Sequence, residues 1–251
     1  MTGHSKDSLY ATPKLSIPGF RFDRDVVDVF PDMIRRSVPG YETIVAMTGT
    51  LAERYAQPGS RLYDLGCSLG ASTLAIRGGV HRQGCTLVAV DNAPDMIERC
   101  RQILDMDAEK HTPPVDTRLI CANIEDVRID DASLVVLNFT LQFIPPGRRQ
   151  ALLSGIYQGL RPGGILVLSE KVVFEDSDHN ELMIDLHHSF KRANGYSDLE
   201  ISQKRTALER VLIPETLNAH RQRLRDIGFG SVDVWFQCFN FASLIAIKDR
   251  Q

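Results

Sequence analysis

The stretch Asp64-Leu65-Gly66-Cys67-Ser68-Leu69-Gly70 decides the fold. It ends the apolar, strand-like run Arg61 to Leu65 and leads into Ala71 to Arg77, which reads as a helix. Glycine in a strand-to-helix turn lets backbone approach a ligand closely. The helix N-terminus behind it offers unpaired N–H groups to an anionic group. The glycines are spaced G-x-x-x-G, whereas a dinucleotide fingerprint needs G-x-G-x-x-G. A pyrophosphate cradle, and with it a dinucleotide oxidoreductase, is therefore disfavoured. Taken alone, the turn also reads as a tight connection with no ligand.

Working outward, Thr86 to Val90 is a β-branched run that ends in Asp91, about 20 residues beyond the turn. An acidic side chain there accepts hydrogen bonds from two ribose hydroxyls. Asn92 reads either as lining the nucleoside or as an Asx turn or N-cap before Pro94. Asn123-Ile124 follows the strand Asp116 to Cys121. A short polar residue and an aliphatic one there suit an adenine amino group and its ring, or else a plain turn. Asn138 lies inside the apolar run Leu134 to Phe139. An unpaired buried Asn costs about 1–3 kcal/mol. It therefore caps backbone or faces a cavity at the strand's carboxyl end, where open α/β sheets bind ligands.

The remaining segments extend the alternation. Pro94 to Leu104 and Pro146 to Leu160 read as helices, Ala132 to Phe139 and Gly164 to Ser169 as strands, with a stop at Arg161-Pro162-Gly163-Gly164. Such alternation implies parallel strands with helices on both faces. Ser231 to Phe236 and Phe241 to Ile247 form a closing hairpin, which gives a mixed sheet with an antiparallel edge. Ahead of the sheet, Asp23 to Arg36 has helical spacing interrupted by Pro31, and Glu42 to Tyr55 restarts a helix. Asp178 to Val211 is almost all helix-like and carries His187, His188, Lys191, Arg192, Lys204 and Arg205. Leu217 to Ile227 is a last helix, closed by Gly228. The expected organisation is a mobile arm over 1–17 and a single domain over 18–251. Within that domain, 18–57 forms an N-terminal helical lid and 172–213 a helical insert.

Composition narrows the class. The chain has 251 residues, 29 Lys+Arg against 32 Asp+Glu, a net charge of -3, 43% hydrophobic and 24% charged residues. A chain this long buries roughly 70–75% of its unfolded surface and needs no staples. Near-balanced charge argues against a protein that grips phosphate backbones. The five cysteines are odd in number and form no CxxC pair, as expected of a reduced, cytoplasmic protein with no metal site. Met1 to Ile17 has no apolar core, so a secretory signal is not expected. Apolar runs such as Ile165 to Leu168 are too short to span a bilayer.

The nucleotide-site residues resemble those of the class I S-adenosylmethionine-dependent fold, a Rossmann-like α/β fold with a seven-stranded mixed sheet. Longer stretches point further. Arg21-Phe22-Asp23, Val29-Phe30-Pro31-Asp32-Met33-Ile34, Ser37-Val38-Pro39-Gly40-Tyr41 and the Asp64 to Gly70 turn form the first group. Val136-Leu137-Asn138-Phe139-Thr140-Leu141-Gln142-Phe143, Phe190-Lys191-Arg192-Ala193-Asn194-Gly195-Tyr196-Ser197, Ile201-Ser202-Gln203-Lys204-Arg205 and Trp235-Phe236-Gln237-Cys238-Phe239-Asn240-Phe241 form the second. Together they resemble the carboxy-S-adenosyl-L-methionine synthase family from about residue 20 to 248.

The resemblance implies conversion of S-adenosylmethionine and prephenate into carboxy-S-adenosylmethionine and phenylpyruvate. It implies that a partner enzyme uses the product to carboxymethylate 5-hydroxyuridine at the tRNA wobble position, so this protein itself touches no nucleic acid or membrane. It places ligand contacts on Tyr41, Gly66, Cys67, Ser68, Asp91, Asn92, Asn123, Ile124, Asn138 and Arg205, with Arg205 gripping the new carboxylate. It also suggests a homodimer. The family commonly has Asp where this chain has Asn123; Asn still offers an acceptor oxygen. The catalytic group and the proton acceptor are not assigned; the hydroxide or departing hydroxyl of prephenate is the expected acceptor. Lys191, Arg192, His187 and His188 are candidates for steering prephenate, set against the plainer expectation of a solvated helix face. An ordinary small-molecule methyltransferase and a non-catalytic adenosyl-ligand-binding protein are the competing readings.

Overall fold

The structure, a computed structural model, describes residues 5–109 and 115–250. Five strands run parallel: β1 (Arg61–Leu65), β2 (Thr86–Asp91), β3 (Asp116–Cys121), β4 (Ala132–Asn138) and β5 (Leu160–Val173). A two-residue strand, β6 (Glu215–Thr216), pairs in parallel with the end of β5. The hairpin β7 (Ser231–Cys238) and β8 (Phe241–Ile247) is antiparallel, with β8 laid along β5. The order is β3-β2-β1-β4-β5-β8-β7, with β6 off that path. The expected seven-strand sheet is thus present with a short eighth strand added. Chain order reverses between β1 and β4, which opens a crevice at their carboxyl ends.

Strand side chains alternate between faces. On β4, Leu134 and Val136 pack in one core with Ala52 of α2 (Tyr41–Tyr55) and Ile76 of α3 (Ala71–Gly79). Val135 and Leu137 pack in the other with Leu153 and Ile156 of α5 (Pro146–Gly159) and Leu224 of α8 (Leu217–Ile227). Burial on both faces is why β4 reads as a continuous apolar run. Four further helices complete the cover: α1 (Arg24–Ser37), α4 (Pro94–Ala108), and the pair α6 (Ser177–Ala193) and α7 (Asp198–Leu208).

Four expectations need correction. Pro31 does not interrupt α1, which runs through it. The lost hydrogen bond is outweighed by burial of Val26, Val27, Val29 and Met33. The long helical insert is two helices, divided where Gly195 takes φ +82° and Ser197 opens α7 with a capping box to Glu200. Strand β5 does not start at Gly164 or stop at Ser169; its pairing with β8 reaches Lys171 opposite Phe241. The N-terminal segment is not simply a free arm, since Asp7 is buried and receives a hydrogen bond from Tyr196.

Candidate active site

The G-x-x-x-G turn is built on left-handed backbone. Gly66 has φ +86°, Ser68 +50° and Gly70 +85°. The N–H groups of Gly66 and Cys67 both donate to the Val90 carbonyl, at 2.8 and 2.9 Å, which pins the turn to β2. A Cβ at Gly66 would run into the Thr140 side chain. Glycine is therefore needed there for both conformation and space. Beneath the turn, buried Asp64 accepts from Thr73 Oγ1 at 2.6 Å. Burial, with the Asp91 charge nearby, pushes its pKa up to about 7.

Asp91 accepts from the Ser68 N–H through Oδ2 and the Ala93 N–H through Oδ1, both at 2.9 Å. Burial raises its pKa, although these N–H groups favour the charged form. The Asx turn is thus made by Asp91 and not by Asn92. Asn92 Nδ2 instead donates to Asn123 Oδ1 at 3.1 Å, and Asn123 Nδ2 donates to Asp126 Oδ2 at 3.0 Å. An aspartate at 123 would face Asp126 with like charge; the asparagine removes that repulsion and keeps an acceptor oxygen, which takes the Asn92 hydrogen bond.

Asn138 closes β4. Its Oδ1 accepts from Ser169 Oγ at 2.7 Å, and its Nδ2 donates to Ser72 Oγ at 2.9 Å. Ser169 Oγ continues to Ser243 Oγ at 2.8 Å, which accepts from Trp235 Nε1 at 2.8 Å. The next residue, Phe139, has φ +61°, a costly conformation for an aromatic. Buried Glu170 holds the turn that follows, accepting from the N–H groups of Leu141 and Gln142 at 3.0 and 2.8 Å. Burial nevertheless pushes Glu170 up to about 8.

These elements enclose a cavity of about 440 Å³ at the carboxyl edge of the sheet, a volume that suits a small-molecule ligand. Tyr41, Gly66, Cys67, Ser68, Asp91, Asn92, Asn123, Ile124 and Asn138 all line it. Arg205 does not: it lies exposed on α7, outside its own chain's cavity. Tyr41, the first residue of α2, packs its ring 6.3 Å from that of Phe139, and burial raises its phenol pKa.

Past the Gly66 turn and Asp91, the cavity wall is cationic. Lys171, Lys191, Lys204 and His187 line it. Lys191 is 8% exposed and Lys204 6%. Burial lowers all three lysine pKa values; Lys204 and Lys171 also repel Lys191, which falls to about 7, while Arg205 acts on Lys171 and Arg36 on Lys204, which falls to about 8. His187 Nε2 lies 2.8 Å from the Ser37 carbonyl, and burial among the lysines keeps the ring neutral. Arg192, by contrast, is half exposed and paired with Asp198 at 2.8 Å, as the solvated-face reading expects.

Lys171 escaped sequence reading because the strand was ended before it. Lys204 had a signal: Glu200, Gln203, Lys204 and Ala207 recur at helical spacing and are all buried. That stripe is largely polar, so apolar periodicity passes over it. Among the described residues, no group of three His, Cys, Asp or Glu is placed to hold a metal ion.

The cavity joins the Gly66 turn and Asp91 to a cationic chamber, and comparison with known proteins gives the family. The chain is 59% identical over 242 residues to the carboxy-S-adenosyl-L-methionine synthase of Trichlorobacter lovleyi, covering 96% of this chain and 98% of that protein. It belongs to the carboxy-S-adenosyl-L-methionine synthase family. A second member, from Aliivibrio fischeri, is 58% identical with the same coverage. A family profile described as "Methyltransferase domain" matches residues 62–164. Human N-acetylserotonin methyltransferase, solved with S-adenosylmethionine, shares the fold at a TM-score of 0.58 and 16% identity, covering 89% of this chain and 55% of that one. The synthase family thus uses a methyltransferase-type fold, and this chain is an S-adenosylmethionine-using enzyme of that fold.

Proposed function

We propose that the protein joins S-adenosylmethionine and prephenate, both as substrates, to give carboxy-S-adenosylmethionine, phenylpyruvate and water. One observation carries the reading. A single cavity leads from the Gly66 turn and Asp91 into a chamber of lysines, and the carboxylates lining it, Asp91 and Glu125, belong to the nucleoside end. A methyl acceptor needs no such field, whereas a second substrate bearing carboxylates does.

The chemistry balances within that chamber. The bond from the prephenate ring to its carboxyl carbon breaks as the ring becomes aromatic and hydroxide departs. A sulfonium acidifies the C–H bonds of its methyl group; that proton joins the hydroxide as water. The methyl carbon forms the new bond to the released carbon dioxide. The chain's own residues then have two tasks: hold the reactants in near-attack geometry and exclude water. The adenosyl half falls to Asp91, Asn92, Asn123, Ile124 and Asn138. His187, neutral and fixed by the Ser37 carbonyl, adds no charge to the wall.

We further propose a cytoplasmic homodimer in which Arg205, exposed on α7, reaches the cavity of a second copy and grips the new carboxylate bidentately. The same reading sends the product to an enzyme that carboxymethylates tRNA wobble uridine, with no nucleic acid or membrane bound by this chain. Among the described residues, no helix is long and apolar enough to cross a membrane. Mass spectrometry of a reaction holding purified protein, S-adenosylmethionine and prephenate tests the activity. A species heavier than S-adenosylmethionine by one carbon dioxide is expected. Methylated product instead, or no product, refutes it. Loss of carboxy-S-adenosylmethionine affinity in Arg205→Ala, with S-adenosylmethionine affinity kept, is expected; equal loss of both refutes the clamp.

A further inference from the structure

The lysine wall combines three elements distant in sequence: Lys171 on β5, Lys191 on α6 and Lys204 on α7. Lys204 alone of the three forms an ion pair. Its Nζ lies 3.1 Å from Ser37 Oγ and 3.7 Å from Asp7 Oδ2. Asp7 is itself fastened by two hydrogen bonds: its carboxylate accepts from the Tyr196 hydroxyl, and its backbone carbonyl accepts from Arg36 Nη1 at 3.3 Å. Among the described residues, neither Lys171 nor Lys191 forms an ion pair, and neither ammonium makes a side-chain hydrogen bond. Burying unpaired charge is costly unless a partner arrives.

The charge count is specific. When all three are protonated, three ammoniums less the Asp7 carboxylate leave two positive charges that form no ion pair among the described residues. The rest of that wall is aromatic: Tyr41, Phe139 and Phe241, the last two with ring centroids 6.0 Å apart. A compact ring carrying two carboxylates complements both features.

We propose that Lys171 and Lys191 each bind one carboxylate of a small cyclic dicarboxylic acid, with Lys204 held behind them by Asp7 and Ser37. The proposal rests on the reading above for the identity of the acid and goes beyond it by assigning the residues. It also predicts selectivity: a monocarboxylic aromatic acid answers only one of the two charges.

The test is calorimetric titration of prephenate and of phenylpyruvate into full-length protein saturated with S-adenosylhomocysteine, which has no methyl group to react. Wild type is expected to bind prephenate at least about tenfold more tightly than phenylpyruvate. Lys171→Met and Lys191→Met are each expected to weaken prephenate at least about tenfold, while affinity for S-adenosylmethionine moves less than about twofold. Lys191→Arg, which keeps the charge, is expected to retain prephenate better than Lys191→Met. Unchanged prephenate affinity in both methionine variants overturns the assignment. So does a matching loss of S-adenosylmethionine, which would place the lysines on the methionine carboxylate. If Lys191→Met fails to fold, Lys171→Met must lose prephenate and Lys191→Arg must keep it. Prephenate bound through the lysines without turnover would refute the proposed reaction and leave the subsite standing.

Discussion

Substituting Gly66 by alanine should damage the site through two separable costs. The first is conformational: Gly66 holds φ +86°, and a non-glycine residue in left-handed backbone costs about 1–2 kcal/mol. The second is steric. The new Cβ would meet Thr140 Oγ1, Cγ2 and Cβ, and Thr140 Oγ1 is engaged with the Asn138 carbonyl at 3.3 Å. Overpacking of that kind costs about 1–3 kcal/mol. Together they give about 2–5 kcal/mol, a large share of a typical stability of about 5–15 kcal/mol. Thr140→Gly removes the obstructing atoms and leaves φ as it is. The double variant should therefore recover about 1–3 kcal/mol relative to the sum of the single variants. Urea unfolding, followed by far-ultraviolet circular dichroism, measures all four corners of this cycle. S-adenosylmethionine affinity should fall at least about tenfold in Gly66→Ala, because the displaced turn lines the cavity. Gly66→Ala costing less than about 1 kcal/mol, or the same in both backgrounds, would show that Thr140 does not limit the turn.

Two pH experiments follow from buried groups. Lys191 is held at about 7 by burial and by Lys204 and Lys171, with Asp7 opposing, and neutral His187 adds no charge. At pH 8 it is mostly the neutral amine, and a bound dicarboxylate favours its charged form. Prephenate binding at pH 8 should therefore take up a proton, read as different calorimetric heats in phosphate and Tris, and weaken as pH rises above about 7; equal heats and a flat profile would contradict this. Glu170, raised to about 8 by burial, contributes stability that is present when it is protonated. That contribution is lost as pH rises from the usual carboxylate range through about 8. Relative to Glu170→Gln, wild type should lose stability to urea over that interval; parallel profiles would show that Glu170 ionises without cost.

The glycine-turn half of the cavity was legible because its signals are local. A glycine turn after a strand, an acid at the end of the next strand and a polar residue at the end of β4 are each set by a few neighbouring residues and by the strand period. The two-sided burial of β4 was likewise visible in its unbroken apolar run. The arm and β5 were misjudged for the opposite reason. What holds Asp7 is Tyr196, Arg36 and Lys204, and what extends β5 to Lys171 is pairing with β8. None of these partners is close in sequence. Pro31 misled because local propensity argued for a break, while burial along one face of α1 argued against it and prevailed.

By itself, then, the chain's order of residues determined the doubly covered parallel sheet, its antiparallel edge and the glycine-turn edge of the cavity, since periodicity and turn chemistry act over short range. Only the tertiary structure decided that Lys171, Lys191 and Lys204 share one wall and that Arg205 is exposed and not part of its own chain's cavity lining. Charges from different elements interact through space. Whether a lysine is a solvated surface group or an unpaired cation in a cavity depends on what the distant chain packs around it.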